Sequence, residues 1–421
     1  MKAKFYFLML LFLIGSIGIV CGQTITGQDA IFMSEFSKPK LNIPFSDPKF
    51  GTTVTRISDA VKSKINGIIP DYSKRQAWNA DETKMLLRTG DGEVMLCDGN
   101  TYDYIKTLQG VAGEDIFWHT SNPEIIYYSA DSILYSYNIS SDELTTIHVF
   151  TDYTWANTRG EGNMSSDGRY YAVVGQKYNY KTGEVIFKDL LVYDMQTNSV
   201  VSKKSLPKDS LTGFDWVSIS PLGNYVVVDY ADEETGRYHG VEVYDRNFKL
   251  IWQKPLGAGH SDMGLEANGD EILVMDIYDA AKNITTFKKF RLSDGQTTDL
   301  LSISPLFDQH ISLRNTKDTG WCLISTFDYT GRLKDDSLSW LPFEDEVFKL
   351  KLDGSGEVKR LAHHHSRRFS PTTPDSDNSV YWAEPHATTS RKGDRIIFAS
   401  NWRQNISKQN GIDVYLIDLR K

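Results

Sequence analysis

Cysteine is scarce in this chain, with three among 421 residues. Cys21 falls in an apolar stretch at the N-terminus. Cys97 in "EVMLCDGN" and Cys322 in "GWCLIST" lie in strand-like sequence, without the CxxC spacing of a metal knuckle. The fold therefore does not rest on a disulfide framework, and these two are expected to be buried free thiols. Excess positive charge is missing too. Lys and Arg number 46 against 55 Asp and Glu, a net −9, so a sequence-independent grip on nucleic acid, which needs a basic face, is not expected. Beyond the leader no apolar run approaches the ~20 residues of a membrane span. A Gly-rich phosphate loop and a GxSxG nucleophile elbow are both absent.

The start, "MKAKFYFLMLLFLIGSIGIVCGQ", carries Lys2 and Lys4, an apolar run from Phe5 to Val20, and then small residues. This is the pattern of a secretory signal peptide over residues 1–22, with cleavage after Gly22 leaving Gln23 first. A lipid anchor on Cys21 is the rival reading. Either way the protein is expected outside the cytoplasm, secreted or periplasmic. Residues 23–70 read as an N-terminal extension, kept irregular by Pro39, Pro44, Pro48 and Pro70, together with a strand that closes the fold.

What is plentiful is aromatic and turn-forming sequence. Aromatics make up 12% of the chain and Tyr alone numbers 22, which favours strands. Seven segments share one plan, a Ser/Asn-x-Asp/Asn-Gly type of turn followed by an apolar strand. They begin near Arg75, Phe117, Glu161, Phe214, His260, His310 and Glu384, most of them about 40 to 55 residues apart. Between them lie hairpin stretches such as "LLVYDMQTNSVVSKK" and "VFKLKLDGSGEVKRL". Two hairpins make a four-stranded antiparallel blade, so residues 71–421 are predicted to form an all-β, seven-bladed β-propeller.

In a propeller the first strand of each blade lines the central channel. Counting back from the turns at Glu266 and Ser390 puts His260 and Glu384 in equivalent places, and Asp262 and His386 two residues further on. Residues two apart in a strand share a face, so these four are expected to converge as ligands of a divalent metal such as Mn, Zn, Ni or Fe. His310, which opens the sixth blade, and His119, which opens the second, are candidate general bases. Arg314 stands four residues beyond His310. Arg75 and Arg159 open the first and third blades, where they either draw an anion to the mouth or form inter-blade salt bridges. "LAHHHSRRFSPTTPDSDNSVYWAEPHA", with the pair Arg367 and Arg368, reads as an insertion over the mouth, and Arg367 is a candidate substrate contact. The roles of His363, His364 and His365 are open at this stage.

Two stretches, "GHSDMGLEANGDEILV" and "YWAEPHATTSRKGDRIIFASNW", resemble the oligogalacturonate lyase family, seven-bladed propellers that hold a divalent metal and cleave uronic-acid oligomers by β-elimination. Together they cover roughly a tenth of the chain. The resemblance implies that one metal histidine falls on His260, that a His-Pro-His motif becomes Glu384-Pro385-His386, and that Tyr381 or His364 stands near the remaining ligand. One departure matters: in "FDWVSISP" Trp216 occupies the place of the family's base histidine, so that work passes to His310 or His119. Tyr381 is the candidate acid. Ulvan lyases and TolB-like propellers are similar at the level of the fold. The expected function is an exported, monomeric, metal-assisted lyase acting on a pectin- or ulvan-type acidic polysaccharide or oligosaccharide. The alternatives are a non-catalytic binding propeller of the cell envelope and a hydrolase that uses carboxylates alone.

Overall fold

A computed structural model describes residues 25–420, except 35, 114, 208–213, 231–239, 256–258, 329–339, 369–380 and 404–410. The signal peptide, the Cys21 anchor and most of the loop ahead of Glu384 lie outside the described residues.

The repeated turn is built the same way in three blades. The carbonyls of Ser165, Ser220 and Ser390 accept from Gly168, Gly223 and Gly393 at 2.8, 2.9 and 2.9 Å. The hydroxyls of the same serines accept from the backbone N–H five residues on, at 2.9, 2.9 and 3.2 Å. The glycines have φ of +74°, +75° and +71°, a region that costs other residues energy. In the first blade the Asn79 amide oxygen takes the serine's place, accepting from Lys84 N at 3.0 Å. After each turn comes a buried strand such as Tyr225–Tyr230 (YVVVDY), whose β-branched residues suit the pleat.

Seven antiparallel sheets result, six of them four-stranded with the strands in chain order. Blade I starts at Ile68–Ile69, inside the expected extension, and blade II at Ile116–Trp118. Blades V and VI begin with Ser261–Leu265 and Phe307–Ser312. Both chain ends build blade VII. Thr53–Arg56 pairs with Asp413–Asp418, which pairs with Arg395–Ser400 and then Thr388–Thr389, and Phe45–Ser46 adds an outer fifth strand.

Apolar clusters join neighbouring blades. Ile272, Val274 and Phe287 of blade V pack with Ile311, Cys322 and Phe348 of blade VI, and Trp78 and Met85 of blade I pack with Ile397 and Val414 of blade VII. Each such aliphatic or aromatic side chain contributes about 1.5–3 kcal/mol by leaving water, so the core is a ring of interfaces around the channel. Cys97 and Cys322 are buried and free. Among the described residues no helix is long and apolar enough to cross a membrane.

Candidate metal centre and substrate cleft

The innermost strands all run the same way, so their starting ends gather at one mouth of the channel. His310 projects there from Phe307–Ser312. Glu384 and His386 come from the segment between the 3-10 turn Tyr381–Ala383 and Thr388–Thr389, and His386 has a left-handed φ of +41°. These two are loop residues, and the backbone twist replaces strand alternation in aiming their side chains. A bulky residue in that conformation is held by its surroundings.

One potential ligand atom each from His310, Glu384 and His386 lies within 4.8 Å of the others. His310 Nε2 is 3.6 Å and His386 Nε2 3.8 Å from Glu384 Oε2, and the two imidazole centroids are 4.2 Å apart. All three residues are buried. The geometry fits a divalent cation on a specific ground. His386 Nδ1 lies 3.0 Å from the Glu384 carbonyl, which makes it the protonated nitrogen and leaves Nε2 as a lone pair. Among the described residues, that Nε2 and both nitrogens of His310 are buried without a hydrogen-bond partner. Buried polar atoms are rarely orphaned unless something else meets them. Burial, reinforced by the neighbouring imidazoles, pushes His310 well below the usual histidine range, and burial takes His386 to about 3, so both rings are neutral, as metal ligands must be. Burial also raises Glu384 to about 7, against the pull of Arg368, whose Nη1 is 2.7 Å from Glu384 Oε1.

His260 stands beside this group, its ring 4.6 Å from that of His310. Its Nδ1 is 3.1 Å from Asp308 Oδ1. Burial opposes the charged form, but the bond to Asp308 and the charges of Asp276 and Glu161 outweigh it and lift His260 to about 9. In the protein without metal it is a cation.

A cavity of about 470 Å³ opens next to the cluster, lined by Tyr72, Arg75, Arg88, Arg159, Tyr381 and Trp382 among others. This is within the size range of small-ligand sites. Tyr72 joins cavity and cluster, its ring 5.7 Å from His310 and 5.5 Å from His386. Tyr381 is 5.2 Å from His386. The three arginines differ in what holds them. Arg75 Nη2 donates to Asp115 at 2.8 Å and to the Gly160 carbonyl at 2.7 Å, and Arg88 pairs with Asp71 at 2.5 Å. Arg159 makes no ion pair among the described residues and lies 5.9 Å from the Trp155 ring.

Other expected site residues lie elsewhere. Asp262 does not join His386 despite the matching count from the turn. Its carboxylate accepts from Leu313 N at 2.7 Å and from Arg314 Nε and Nη2 at 3.1 and 2.8 Å, so Asp262 and Arg314 occupy each other in a bridge between blades V and VI. His119 closes a local turn, its Nδ1 accepting from Ser121 and Asn122 N, both at 3.1 Å. His364 Nε2 is 2.8 Å from the Thr326 carbonyl. His363 packs on Phe50, and His365 stacks on Trp402 at 4.2 Å, so the triple histidine is structural. Arg367 has its backbone bound to Asn401 and is not among the cavity-lining residues. Trp216 is buried, with Lys74 Nζ 4.4 Å from its ring centroid.

Sequence reasoning missed Tyr72, Asp308 and the partner of Arg368. Asp308 was legible, since "DQH" puts it two residues from His310 on one strand face. Tyr72 carried no signal, being one tyrosine of 22 just after Pro70.

Among solved structures the fold has relatives of nearly full length. An oligogalacturonate lyase in complex with manganese superposes with a TM-score of 0.61 at 14% identity, over 90% of this chain and 96% of that one. An oligogalacturonate lyase from Vibrio parahaemolyticus gives a TM-score of 0.61 at 12% identity with the same coverage. This chain shares their fold. No protein-family model and no curated protein matches it.

Proposed function

We propose that this chain is a metal-assisted lyase that cleaves uronic-acid-containing oligosaccharides by β-elimination at the starting mouth of the channel. The observation that carries the reading is the group His310, Glu384 and His386, with imidazole nitrogens unpartnered among the described residues, facing a cavity that holds tyrosines and Arg159, which makes no ion pair among those residues. The fold shared with two oligogalacturonate lyases, one of them in complex with manganese, supports it. Those three side chains would hold a divalent metal, and two imidazoles with one carboxylate suit Mn, Fe or Zn. When bound, the metal would draw charge from a uronate carboxylate and so acidify the neighbouring C5 proton.

The remaining work falls to the chain's own groups. Arg159 would take a sugar carboxylate. Tyr72 has no hydrogen-bond partner for its hydroxyl among the described residues. Burial, with Glu161, Tyr381 and Glu384 nearby, raises its pKa well above the usual value, so it holds a proton that it can give to the departing sugar oxygen. Tyr381 and Trp382 offer sugar-stacking surfaces on the same wall. His310, expected as a base, is better used as a ligand in this arrangement, and the C5 proton would pass to the carboxylate of Glu161 on the cavity wall, where burial opposes its charge but Lys74 Nζ at 2.5 Å outweighs burial and keeps it ionised. The signal peptide reading adds that the reaction takes place outside the cytoplasm.

One observation favours a non-catalytic binding propeller instead: Glu384 already has a guanidinium partner in Arg368. The test separates the two. The purified mature protein is assayed for metal content and for absorbance of unsaturated uronate on pectic, ulvan-type and alginate substrates, beside His386→Ala. Absorbance and metal both lost in the variant support the lyase. No product on any substrate and no metal in the wild type would sink it.

A further inference from the structure

The opposite mouth of the channel, where the innermost strands end, has its own charged cavity. Arg391 sits there in the turn after Thr388–Thr389 of blade VII. Its carbonyl accepts from Lys317 N at 2.7 Å, which ties the turn to blade VI. The guanidinium has one bond among the described residues, from Nε to the Asn79 carbonyl at 3.4 Å, and no carboxylate pairs with it. Glu82, an acid that acts on its charge, is bound by Arg395 Nη2 at 2.6 Å. Arg391 and Arg314 line one cavity of about 80 Å³ together with Ser166 and Thr316, and no carboxylate is among its lining residues. The hydroxyls of Ser166 and Thr316 have no partner among the described residues. Arg314 is neutralised by Asp262, so Arg391 is the charge in this cavity without a counterion among the described residues.

We propose that this mouth binds a small tetrahedral oxyanion, phosphate or sulfate, on the Arg391 guanidinium with hydroxyls of blades III and VI. A guanidinium offers a donor fork that matches such an anion, and about 80 Å³ exceeds the ~10–15 Å³ that one water needs. Burial, partly offset by Glu82, and the neighbouring Arg314 charge both disfavour the Arg391 cation, and an anion relieves both. The ligand would bridge blade VII, where the two chain ends meet, to blades III and VI. It would therefore stabilise the closed ring.

The experiment follows thermal unfolding of the mature protein in sodium phosphate, in sodium sulfate, and in sodium chloride at matched ionic strength, beside Arg391→Gln. A saturable rise of about 2 °C is expected with phosphate, sulfate or both, absent in chloride and lost in the variant. The two salts identify which anion the mouth prefers. Broadening of the phosphate phosphorus resonance by wild-type protein, reversed by sulfate, gives the same answer if the variant does not fold. A rise equal to that in chloride, a rise retained by Arg391→Gln, or no line broadening would overturn the site. None of these outcomes depends on lyase activity.

Discussion

Burial, with the acidic groups Glu161, Tyr381 and Glu384 nearby, keeps the proton on the Tyr72 phenol, and that makes Tyr72 the most informative single residue. Tyr72→Phe removes one oxygen and leaves the ring packed on His310 and His386. We expect kcat on a uronate oligomer to fall by about 10²–10⁴-fold, with KM and metal content near wild type. A change confined to KM would demote Tyr72 to a binding residue. His260 offers a second residue-scale test. Its proton is held by Asp308 at 3.1 Å, so in metal-free protein the imidazole is expected to titrate near 9 by NMR. In Asp308→Asn the midpoint should drop, because the carboxylate that outweighs burial is gone. An unchanged midpoint would mean that Asp276 and Glu161 suffice. At this scale the sequence disclosed residue types more readily than partners. His386, Glu384 and His310 stood out as chemistry-bearing residues, and Asp262 stood out equally. Whether a carboxylate meets a metal or an arginine depends on which neighbour the next blade delivers, and that neighbour is 52 residues away for Arg314.

The closing strand is the element on which the ring depends. Asp413, on the C-terminal strand and fully buried, receives Lys38 Nζ at 2.7 Å, Arg56 Nε at 3.0 Å and Ala60 N at 2.8 Å. All three donors come from the N-terminal segment. Asp413→Ala leaves half-buried Lys38 without its carboxylate and Arg56 with Asp59 alone, which costs about 3 kcal/mol, the low end for a broken buried pair. A lower urea midpoint with an unchanged slope is the expected outcome. A midpoint within error of wild type would show that strand pairing alone closes the ring. Elements were the most legible level in the sequence. Turn chemistry repeats with fixed offsets, and in three blades a serine, a glycine three on and an apolar strand beyond write the first hairpin locally. The segment carrying Glu384 and His386 is the exception, since it reads as strand and folds as a loop. Its left-handed His386 is imposed by packing against Tyr72, Tyr381 and His310, contacts that no local pattern encodes.

For the whole molecule, buried carboxyls set the response to pH. Burial raises Asp345 to about 8, while Arg403 works against it. The folded protein thus keeps a proton there that the unfolded chain gives up near the ordinary ~3.9. Between these values the folded state binds more protons, so this residue's contribution to stability falls as pH rises from about 4 to 8, by up to ~1.4 kcal/mol per pH unit. Asp345→Asn should remove that slope. Urea midpoints of both proteins at pH 5, 6, 7 and 8 test it, and parallel curves would refute it.

The sequence by itself determined the seven-fold repeat, the strands and their turns, because those follow from hydrophobic alternation and short-range hydrogen bonds within some ten residues. It also determined that histidines and carboxylates cluster near blade starts. Tertiary structure alone decided which of them meet. Blades I, VI and VII bring Tyr72, His310, Glu384 and His386 to one mouth, while Asp262 and Arg314 satisfy each other between blades V and VI. Closure of the ring sets distances between residues hundreds of positions apart, and the energies of buried charge and unpaired nitrogen exist only once that closure has removed the water.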